Sequence, residues 1–133
     1  MGTKEPRDRT KYRMSRVGQK DTDLERSVRS RLHREGLRFR KHVKALPGVP
    51  DIVFSRARLA VFIDGDFWHG FELPRWRHSL SQYWIDKITR TMRRDRRNFA
   101  QLRRTGWKVQ RVWGHDVQKN LDGVVDRIKA ALV

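Results

Sequence analysis

The chain has 133 residues and no cysteine, which excludes disulfides and thiolate metal sites. Lys and Arg number 32 against 15 Asp and Glu, and the resulting net charge of +17 favours a polyanionic partner, nucleic acid before anionic membrane. The apolar runs are too short for a transmembrane helix and the basic first 20 residues do not resemble a secretory signal, so we expect a cytoplasmic protein.

The N-terminal part of the chain predicts a basic arm followed by a helix. Residues 1–20 are basic and lack periodicity, and we expect a flexible DNA-contacting arm ahead of a single domain over residues 21–133. Thr22 and Glu25 have the spacing of a capping box at the start of a helix. One apolar face of this helix is formed by Leu24, Val28 and Leu32. The predicted helix ends at Gly36.

Three short strands are predicted after this helix. Residues 37–43 alternate in the manner of an exposed or edge strand, and the two prolines of residues 46–50 indicate a turn. Residues 51–54 form a second predicted strand, and a turn over residues 55–58 leads to a third. The continuous apolar character of residues 59–63 is typical of a buried central strand.

The second half of the chain predicts a long loop, a long helix, a strand and a terminal helix. The loop covers residues 64–79, and a loop of that length in a small domain is usually functional. The helix is predicted over residues 80–105, the strand over 107–113, and the terminal helix around the apolar positions between 121 and 132. This order predicts an α/β fold with a mixed central sheet flanked by helices.

Two carboxylates lie where neighbouring strands begin and end. Asp51 follows a proline at the mouth of one strand, and Asp64 ends the next strand. Paired strands would bring these residues close together, where their oxygens can hold a divalent cation that activates water for phosphate hydrolysis. The alternative is that Asp51 is an ordinary turn residue after proline.

Three further residues are candidates for the same chemistry. Asp95 lies on the apolar face of the long helix, where a carboxylate needs an ionic or metal partner, and a buried salt bridge to an arginine would satisfy it equally well. His69, in the loop, can transfer a proton near a metal or can be a solvated loop residue. Glu25 is explained by the capping box but could also face the site. We expect the four other histidines, His33, His42, His78 and His115, to be surface residues.

Basic and aromatic residues indicate how a duplex could be bound. Between Lys87 and Arg111 the only acid is Asp95, and the clustered arginines can follow a phosphate backbone or form a solvated face. The aromatic pair Phe67 and Trp68 can wedge between base pairs or can fill the core. The arginines concerned are Arg93, Arg94, Arg96 and Arg97.

Four blocks of sequence resemble the very-short-patch-repair (Vsr) mismatch endonucleases. They are Leu-Pro-Gly-Val-Pro-Asp at 46–51, Val-Phe-Ile-Asp-Gly-Asp-Phe-Trp-His-Gly at 61–70, Arg-Asp-Arg-Arg at 94–97, and Gly-Trp-Lys-Val with Val-Trp between 106 and 113. All four blocks occur in the same order as in that family, which argues against agreement by chance. The resemblance implies a restriction-endonuclease-like core of the PD-(D/E)xK type and magnesium-dependent cutting of one strand beside a T·G mismatch.

The resemblance also implies roles for individual residues. Asp51 and the backbone carbonyl of Ile63 would bind the metal, and His69, Glu25 and Asp95 would surround its water and the scissile phosphate. An aromatic pair and a methionine would enter the DNA stack next to the mismatch; the matching residues are Phe67, Trp68 and Met14.

Two departures from the family pattern change these expectations. Family members commonly carry a structural zinc near this loop, but here Asp66 replaces an expected cysteine, so we expect no zinc. Packing by apolar side chains would hold the loop instead, and the candidates are Phe71, Leu73 and Trp76. Asp64 also departs from the best-known members, and we treat it as a candidate second metal carboxylate, together with Asp51.

Two other readings compete with a mismatch-nicking enzyme. One is a restriction-type nuclease of the same fold that cuts intact or modified DNA, and the other is a non-catalytic basic DNA-binding module. A pure binder has no reason to keep Asp51, Asp64 and Asp95 in so basic a chain, since each would repel phosphate. We expect double-stranded DNA as the partner of a monomeric protein, with Mg²⁺ as the cofactor and no membrane association.

Overall fold

The computed structural model describes residues 23–66 and 69–133, without the side chains of Pro74 and Trp76. Helix α1 (Asp23–Arg34) precedes three strands, β1 (Arg40–Lys41), β2 (Ile52–Phe54) and β3 (Leu59–Asp64). A short helix α2 (Leu73–Trp76) and a 3₁₀ turn (Arg77–Ser79) lead to the long helix α3 (Gln82–Arg104). Strand β4 (Lys108–Trp113) is followed by α4 (Gly114–Lys119) and α5 (Leu121–Ala131).

The four strands form one mixed sheet in the order β1-β2-β3-β4. The first three strands pair antiparallel, and β4 lies parallel to β3 with Leu59 opposite Lys108 and Asp64 opposite Trp113. Helix α3 makes the connection between the two parallel strands, as a parallel pair requires. Because β2 is antiparallel to β3, the start of β2 and the end of β3 lie at the same end of the sheet.

Helices cover both faces of the sheet, so the central strand β3 is buried along its whole length. Alternate residues point to opposite faces. On one face, Val61 and Ile63 pack with residues of α1, α4 and α5 in the larger core. On the other face, Ala60 and Phe62 pack against Phe99 and Leu102 of α3. Asp64 continues the α3 side of this alternation, which directs it toward the long helix.

The predicted α/β fold with a mixed sheet flanked by helices is confirmed, with corrections to several elements. The edge strand predicted over residues 37–43 contracts to Arg40–Lys41. The predicted loop over residues 64–79 contains α2 and the 3₁₀ turn. Strand β4 leads directly into α4, a helix that the sequence analysis did not predict.

None of the helices in the described part of the chain has both the length and the apolar character needed to span a membrane. The amphipathic long helix illustrates the reason, since charged residues occupy most of its outer surface.

Candidate active site at the strand ends

A hairpin-like pairing places His42 beside Asp51. The backbone N–H of His42 donates to the Asp51 carbonyl (3.2 Å), and that of Val43 donates to the Pro50 carbonyl (3.2 Å). One carboxylate oxygen of Asp51 accepts from the backbone N–H of Ile63 at 2.7 Å. The buried Asp51 carboxylate is thus fixed between β1 and β3 at one end of the sheet.

The turn that leads to Asp51 has an unusual backbone. Gly48 and Val49 both lie in the left-handed region, with φ of +78° and +51°. That conformation suits glycine but is costly for a β-branched residue such as valine. A Cβ on Gly48 would also approach within 3.0 Å of the Phe62 ring. The strained turn therefore places Pro50 and Asp51 against the sheet in a defined position. Strained backbone of this kind clusters at functional sites.

Glu25, His42 and Asp51 form the first cluster of candidate ligands. Their nearest ligand atoms all lie within 4.8 Å of one another. Glu25 Oε2 is 2.8 Å from His42 Nε2, and the Arg29 guanidinium lies 3.6 Å from the same oxygen. Two buried carboxylates and a half-buried imidazole match the hard oxygen and nitrogen donors that divalent cations accept. The residues present therefore fit a divalent metal ion.

Asp64, His69 and Asp95 form a second cluster that contains an arginine. His69 Nδ1 lies 2.6 Å from Asp95 Oδ2, and its Nε2 lies 3.4 Å from Asp64 Oδ1. Arg111 donates from Nε to Asp64 Oδ2 (2.8 Å) and from Nη2 to Asp95 Oδ2 (2.6 Å). An ionised Asp95 carboxylate can only accept, so His69 Nδ1 donates in this contact, and Nε2 is the ring nitrogen that faces Asp64.

Burial and neighbouring charges act in opposite directions on Asp64. Burial raises the pKa of the Asp64 carboxyl, because the charged form loses solvation. The cationic form of His69 and the Arg111 guanidinium lower it, while the adjacent Asp95 carboxylate raises it further. The net pKa of Asp64 lies above the ordinary value for aspartate, with burial as the largest cause.

The loop that carries His69 is held closely against its surroundings. The N–H of His69 donates to the Gly65 carbonyl, and the N–H of Phe71 donates to the Asp66 carbonyl at 2.9 Å. Gly70 has φ of +73°, and a Cβ at that position would collide with the Met92 side chain of α3. This close approach of loop and helix brings His69 to Asp95.

A second set of contacts joins the same loop to β4 and α4. The Phe71 ring packs on Trp113 and His115, with centroids 5.0 and 4.4 Å apart. Asp66 Oδ2 lies 3.0 Å from His115 Nδ1, and Leu73 is buried. Of the apolar side chains expected to hold the loop, Phe71 and Leu73 are thus packed, whereas the side chain of Trp76 lies outside the described part of the structure.

The exposed side of helix α3 carries a dense set of positive charges. Asp95 is buried on the inner face, together with Ile88, Phe99 and Leu102. The arginines beside it point outward and are exposed, which leaves them accessible to a phosphate backbone. They are Arg93, Arg94, Arg96 and Arg97.

Comparison with known proteins identifies the family. A family profile described as "DNA mismatch endonuclease Vsr" matches residues 2–75. The type II nicking enzyme V.XorIIP of Xanthomonas oryzae pv. oryzae is 46% identical over 111 residues, which span 80% of this chain and 79% of that protein. The chain belongs to the Vsr family.

Other relatives support the same assignment. The type II nicking enzyme V.HpaIIP of Haemophilus parainfluenzae is 36% identical over 118 residues, which cover 86% of this chain and 84% of that relative. The DNA mismatch endonuclease Vsr of Escherichia coli strain K12 is 36% identical over 105 residues, which cover 75% of this chain and 65% of that relative.

Membership of the Vsr family confirms the restriction-endonuclease-like fold that the resemblance implied. The chain is a cysteine-free member of this family. The predicted acids Asp51 and Asp64 lie at the same end of the sheet, because Asp51 contacts the N–H of the residue before Asp64. Their carboxylates nevertheless belong to two separate clusters, and Glu25 rather than Asp64 accompanies Asp51.

Sequence reasoning missed three side chains of the site region. His42 was expected at the surface, but it is half-buried and hydrogen-bonded to Glu25. Pairing residues 40–41 with 52–53 places His42 opposite Asp51. The alternating pattern of residues 37–43 could therefore have predicted this position for His42. Arg111 and His115 gave no comparable signal, because their ionic partners come from distant parts of the chain.

Several predicted residues lie outside the described part of the chain. These are the helix-capping Thr22, the arm over residues 1–20 with Met14, and the aromatic pair Phe67 and Trp68. Their roles stay predictions.

Proposed function

We propose that this Vsr-family protein is a magnesium-dependent endonuclease that nicks one strand of double-stranded DNA beside a T·G mismatch. The observation that carries this proposal is that two clusters of candidate site residues lie at one end of the sheet. Glu25, His42 and Asp51 offer a metal site, and the hydrogen-bonded pair of His69 and Asp95 lies on the other side of the end of β3. A binding module would not need either arrangement.

The metal would be held by Asp51 and the backbone carbonyl of Ile63, with Glu25 and His42 close to it. When bound, Mg²⁺ would supply neutralisation of charge on the scissile phosphate and orientation of the reacting water. The hydrogen bond from the Ile63 N–H keeps the Asp51 carboxylate in one orientation before any ion binds. The sequence also suggested Asp64 as a metal ligand, but Arg111 engages its carboxylate, and this proposal gives Asp64 no ligand role.

His69 would accept the proton of the attacking water, and Asp95 would orient the His69 ring. Water would attack the phosphorus as its proton moves to Nε2 of His69, the P–O bond to a sugar oxygen would break, and this leaving oxygen would take a proton from solvent water. Asp95 accepts the Nδ1 hydrogen at 2.6 Å, which orients the ring and stabilises the imidazolium that forms. General base catalysis of this kind typically contributes about 10²- to 10⁴-fold to the rate.

The duplex would be bound by three parts of the chain. The exposed arginines of α3 would contact phosphates, and the basic arm over residues 1–20 would extend that contact ahead of the nuclease domain, residues 21–133. Met14, Phe67 and Trp68 would enter the base stack near the mismatch, where a poorly stacked wobble pair reduces the energy needed to open the step. We further propose that the protein acts as a monomer in the cytoplasm and needs no structural zinc.

The names of the relatives support this proposal at the level of DNA nicking. One relative is named a DNA mismatch endonuclease and others are named type II nicking enzymes. A restriction-type nuclease acting on intact duplex would use the same two clusters. The choice between these activities depends on the DNA substrate.

A panel of labelled duplexes tests the proposal. Each strand carries a different end label, and duplexes with T·G, other mismatches or full pairing are incubated with Mg²⁺ or with EDTA. We expect Mg²⁺-dependent product from one labelled strand of the T·G duplex only. Equal cutting of the paired duplex would favour the restriction-type alternative, and absence of cutting from every duplex would contradict nuclease function.

A further inference from the structure

The second acidic cluster has a geometry that a metal ion could use, but it already contains a cation. The ligand atoms of Asp64, His69 and Asp95 lie within 4.8 Å of one another, as do those of the Glu25, His42 and Asp51 cluster. Arg111 lies between the two carboxylates and hydrogen-bonds both. A guanidinium therefore neutralises part of the charge of this second cluster.

The position of Arg111 follows from the sheet register. Arg111 is opposite Phe62 in the parallel pairing of β3 with β4, and it shares the α3 side of the sheet with Asp64. From this position its Nε reaches a carboxylate oxygen of Asp64 on the sheet, and its Nη2 reaches one of Asp95 on helix α3. A guanidinium stays charged at every physiological pH and presents its donors in a fixed planar arrangement.

Aromatic rings hold the guanidinium in place. Its central carbon lies 4.3 Å from the centroid of the Trp113 ring and 5.1 Å from that of Phe99. The side chains of Asp64 and Asp95 are only 7% and 9% exposed, and that of Arg111 is 25% exposed. Ring contacts of this type stabilise a cation most when it is removed from water, so Arg111 is a structural part of this cluster.

We propose that Arg111 acts as a built-in cation that keeps divalent metal out of the Asp64, His69 and Asp95 cluster. The divalent ion is thereby confined to Glu25, His42 and Asp51, and Asp95 remains available to orient His69. The inference rests on the proposed function and makes Arg111 a positioning residue that determines where metal binds. An ion among Asp64, His69 and Asp95 would have to displace Arg111 or sit beside its positive charge.

The contact between Arg29 and Glu25 in the first cluster has a different geometry. Arg29 lies 3.6 Å from Glu25, on the same helix, whereas Arg111 donates at 2.8 and 2.6 Å to carboxylates from two different elements. Charge-assisted hydrogen bonds of that length are the strong ones. The difference in geometry predicts different metal affinities for two clusters of similar composition.

Manganese binding tests this inference without any DNA cleavage. Free Mn²⁺ is measured by electron paramagnetic resonance during titration of the full chain, and Arg111→Met is compared with the wild type. We expect Arg111→Met to bind one more Mn²⁺ per chain than the wild type. Equal numbers of bound ions, with native circular dichroism in both proteins, would overturn the inference.

Substitutions on the wild-type background keep the test decisive if Arg111→Met fails to fold. Asp51→Asn should weaken Mn²⁺ binding by at least about tenfold, since even the outer partners of a metal site are worth about 10- to 100-fold in affinity. Asp64→Asn should leave the wild-type affinity unchanged within about twofold. Loss of the wild-type Mn²⁺ site in Asp64→Asn would also overturn the inference.

A conservative variant separates charge from general packing. Arg111→Lys keeps the positive charge and should retain the wild-type number of ions, even if its hydrogen bonds are fewer. An additional ion in Arg111→Lys would contradict exclusion by charge. The duplex panel can fail while these ion counts hold, so failure of the proposed function and failure of this inference are distinguishable.

Discussion

At the residue scale, the carboxylates of the site are oriented by specific donors before any substrate arrives. Asp51 accepts from a backbone N–H of β3, and Asp95 accepts from both His69 and Arg111. Preorganised groups of this kind need little rearrangement during reaction. Substitution of a single carboxylate by its amide should therefore change charge and chemistry more than local shape.

The raised pKa of Asp64 predicts a pH dependence of folding stability. The folded state holds this proton more tightly than the unfolded state, so the contribution is complete below the ordinary carboxyl pKa and is lost as pH rises through the raised value. Asp64→Asn removes that loss. The free energy of unfolding of the variant minus that of the wild type should therefore increase with pH.

Urea denaturation in EDTA from about pH 4 upward measures this difference. Asp126→Asn, an exposed substitution on α5, is the control with the same change in charge. A stability difference for Asp64→Asn that is constant or falls with pH would contradict the raised pKa.

Trp68 is predicted to act on the mismatch rather than on the fold. Stacking of an aromatic side chain on a base is typically worth about 1–3 kcal/mol by alanine substitution. Trp68→Ala should weaken binding to a T·G duplex by roughly 5- to 150-fold, since about 1.4 kcal/mol is tenfold. Binding to a paired duplex should change little, because basic side chains supply that interaction.

Thermal unfolding of the same variant distinguishes insertion of Trp68 between base pairs from packing of Trp68 in the hydrophobic core. If Trp68 fills the core, the alanine variant should lose on the order of 3–5 kcal/mol of folding stability. Its affinities for mismatched and paired duplexes would then fall together, and this result would contradict insertion of Trp68 between base pairs.

At the element scale, long periodic segments were predictable and short connections were not. The stripe that includes Ile88, Asp95 and Phe99 predicted helix α3 and the burial of an acid on its inner face. Helix α2 has only four residues, too few for a hydrophobic period to appear. Helix α4 follows β4 without a linker, so no turn signal marked its start.

The position of a candidate residue was predictable where its type was unusual in its local pattern, as with Asp95 on the apolar face of the long helix. It was not predictable where contacts depend on pairing between distant segments. Arg111 is one of 32 basic residues, and its place between two carboxylates depends on sheet register and on the path of α3. His42 depended on a hairpin whose strand is only two residues long.

The loop carrying His69 is predicted to be stable without metal. Phe71 packs between Trp113 and His115, and Asp66 is hydrogen-bonded to His115, so protein contacts tie the loop to β4 and α4. The melting temperature should therefore be the same with and without a strong zinc chelator. Phe71→Ala should lower stability in both buffers, as aromatic pairs contribute about 0.5–1.5 kcal/mol beyond burial. A large fall in melting temperature on chelation would contradict this.

At the scale of the whole molecule, the net charge of +17 should dominate binding to paired DNA. If roughly six to eight phosphates are neutralised, the logarithm of the affinity should fall with the logarithm of salt concentration with a slope of about −5 to −7. Fluorescence anisotropy of a labelled paired duplex over a salt series measures this slope. A slope near about −2 would mean that most of the arginines do not touch DNA.

The most direct test of the proposed chemistry separates cleavage from binding at Asp51. Asp51→Asn retains an oxygen that can accept from the Ile63 N–H but removes the charge that would hold a metal ion. Single-turnover nicking of a T·G duplex in Mg²⁺ is measured beside affinity for the same duplex, with Asp126→Asn as the control. We expect Asp51→Asn to bind the duplex at near wild-type affinity and to produce no nick. Nicking by Asp51→Asn at close to the wild-type rate would contradict a metal site at the mouth of β2.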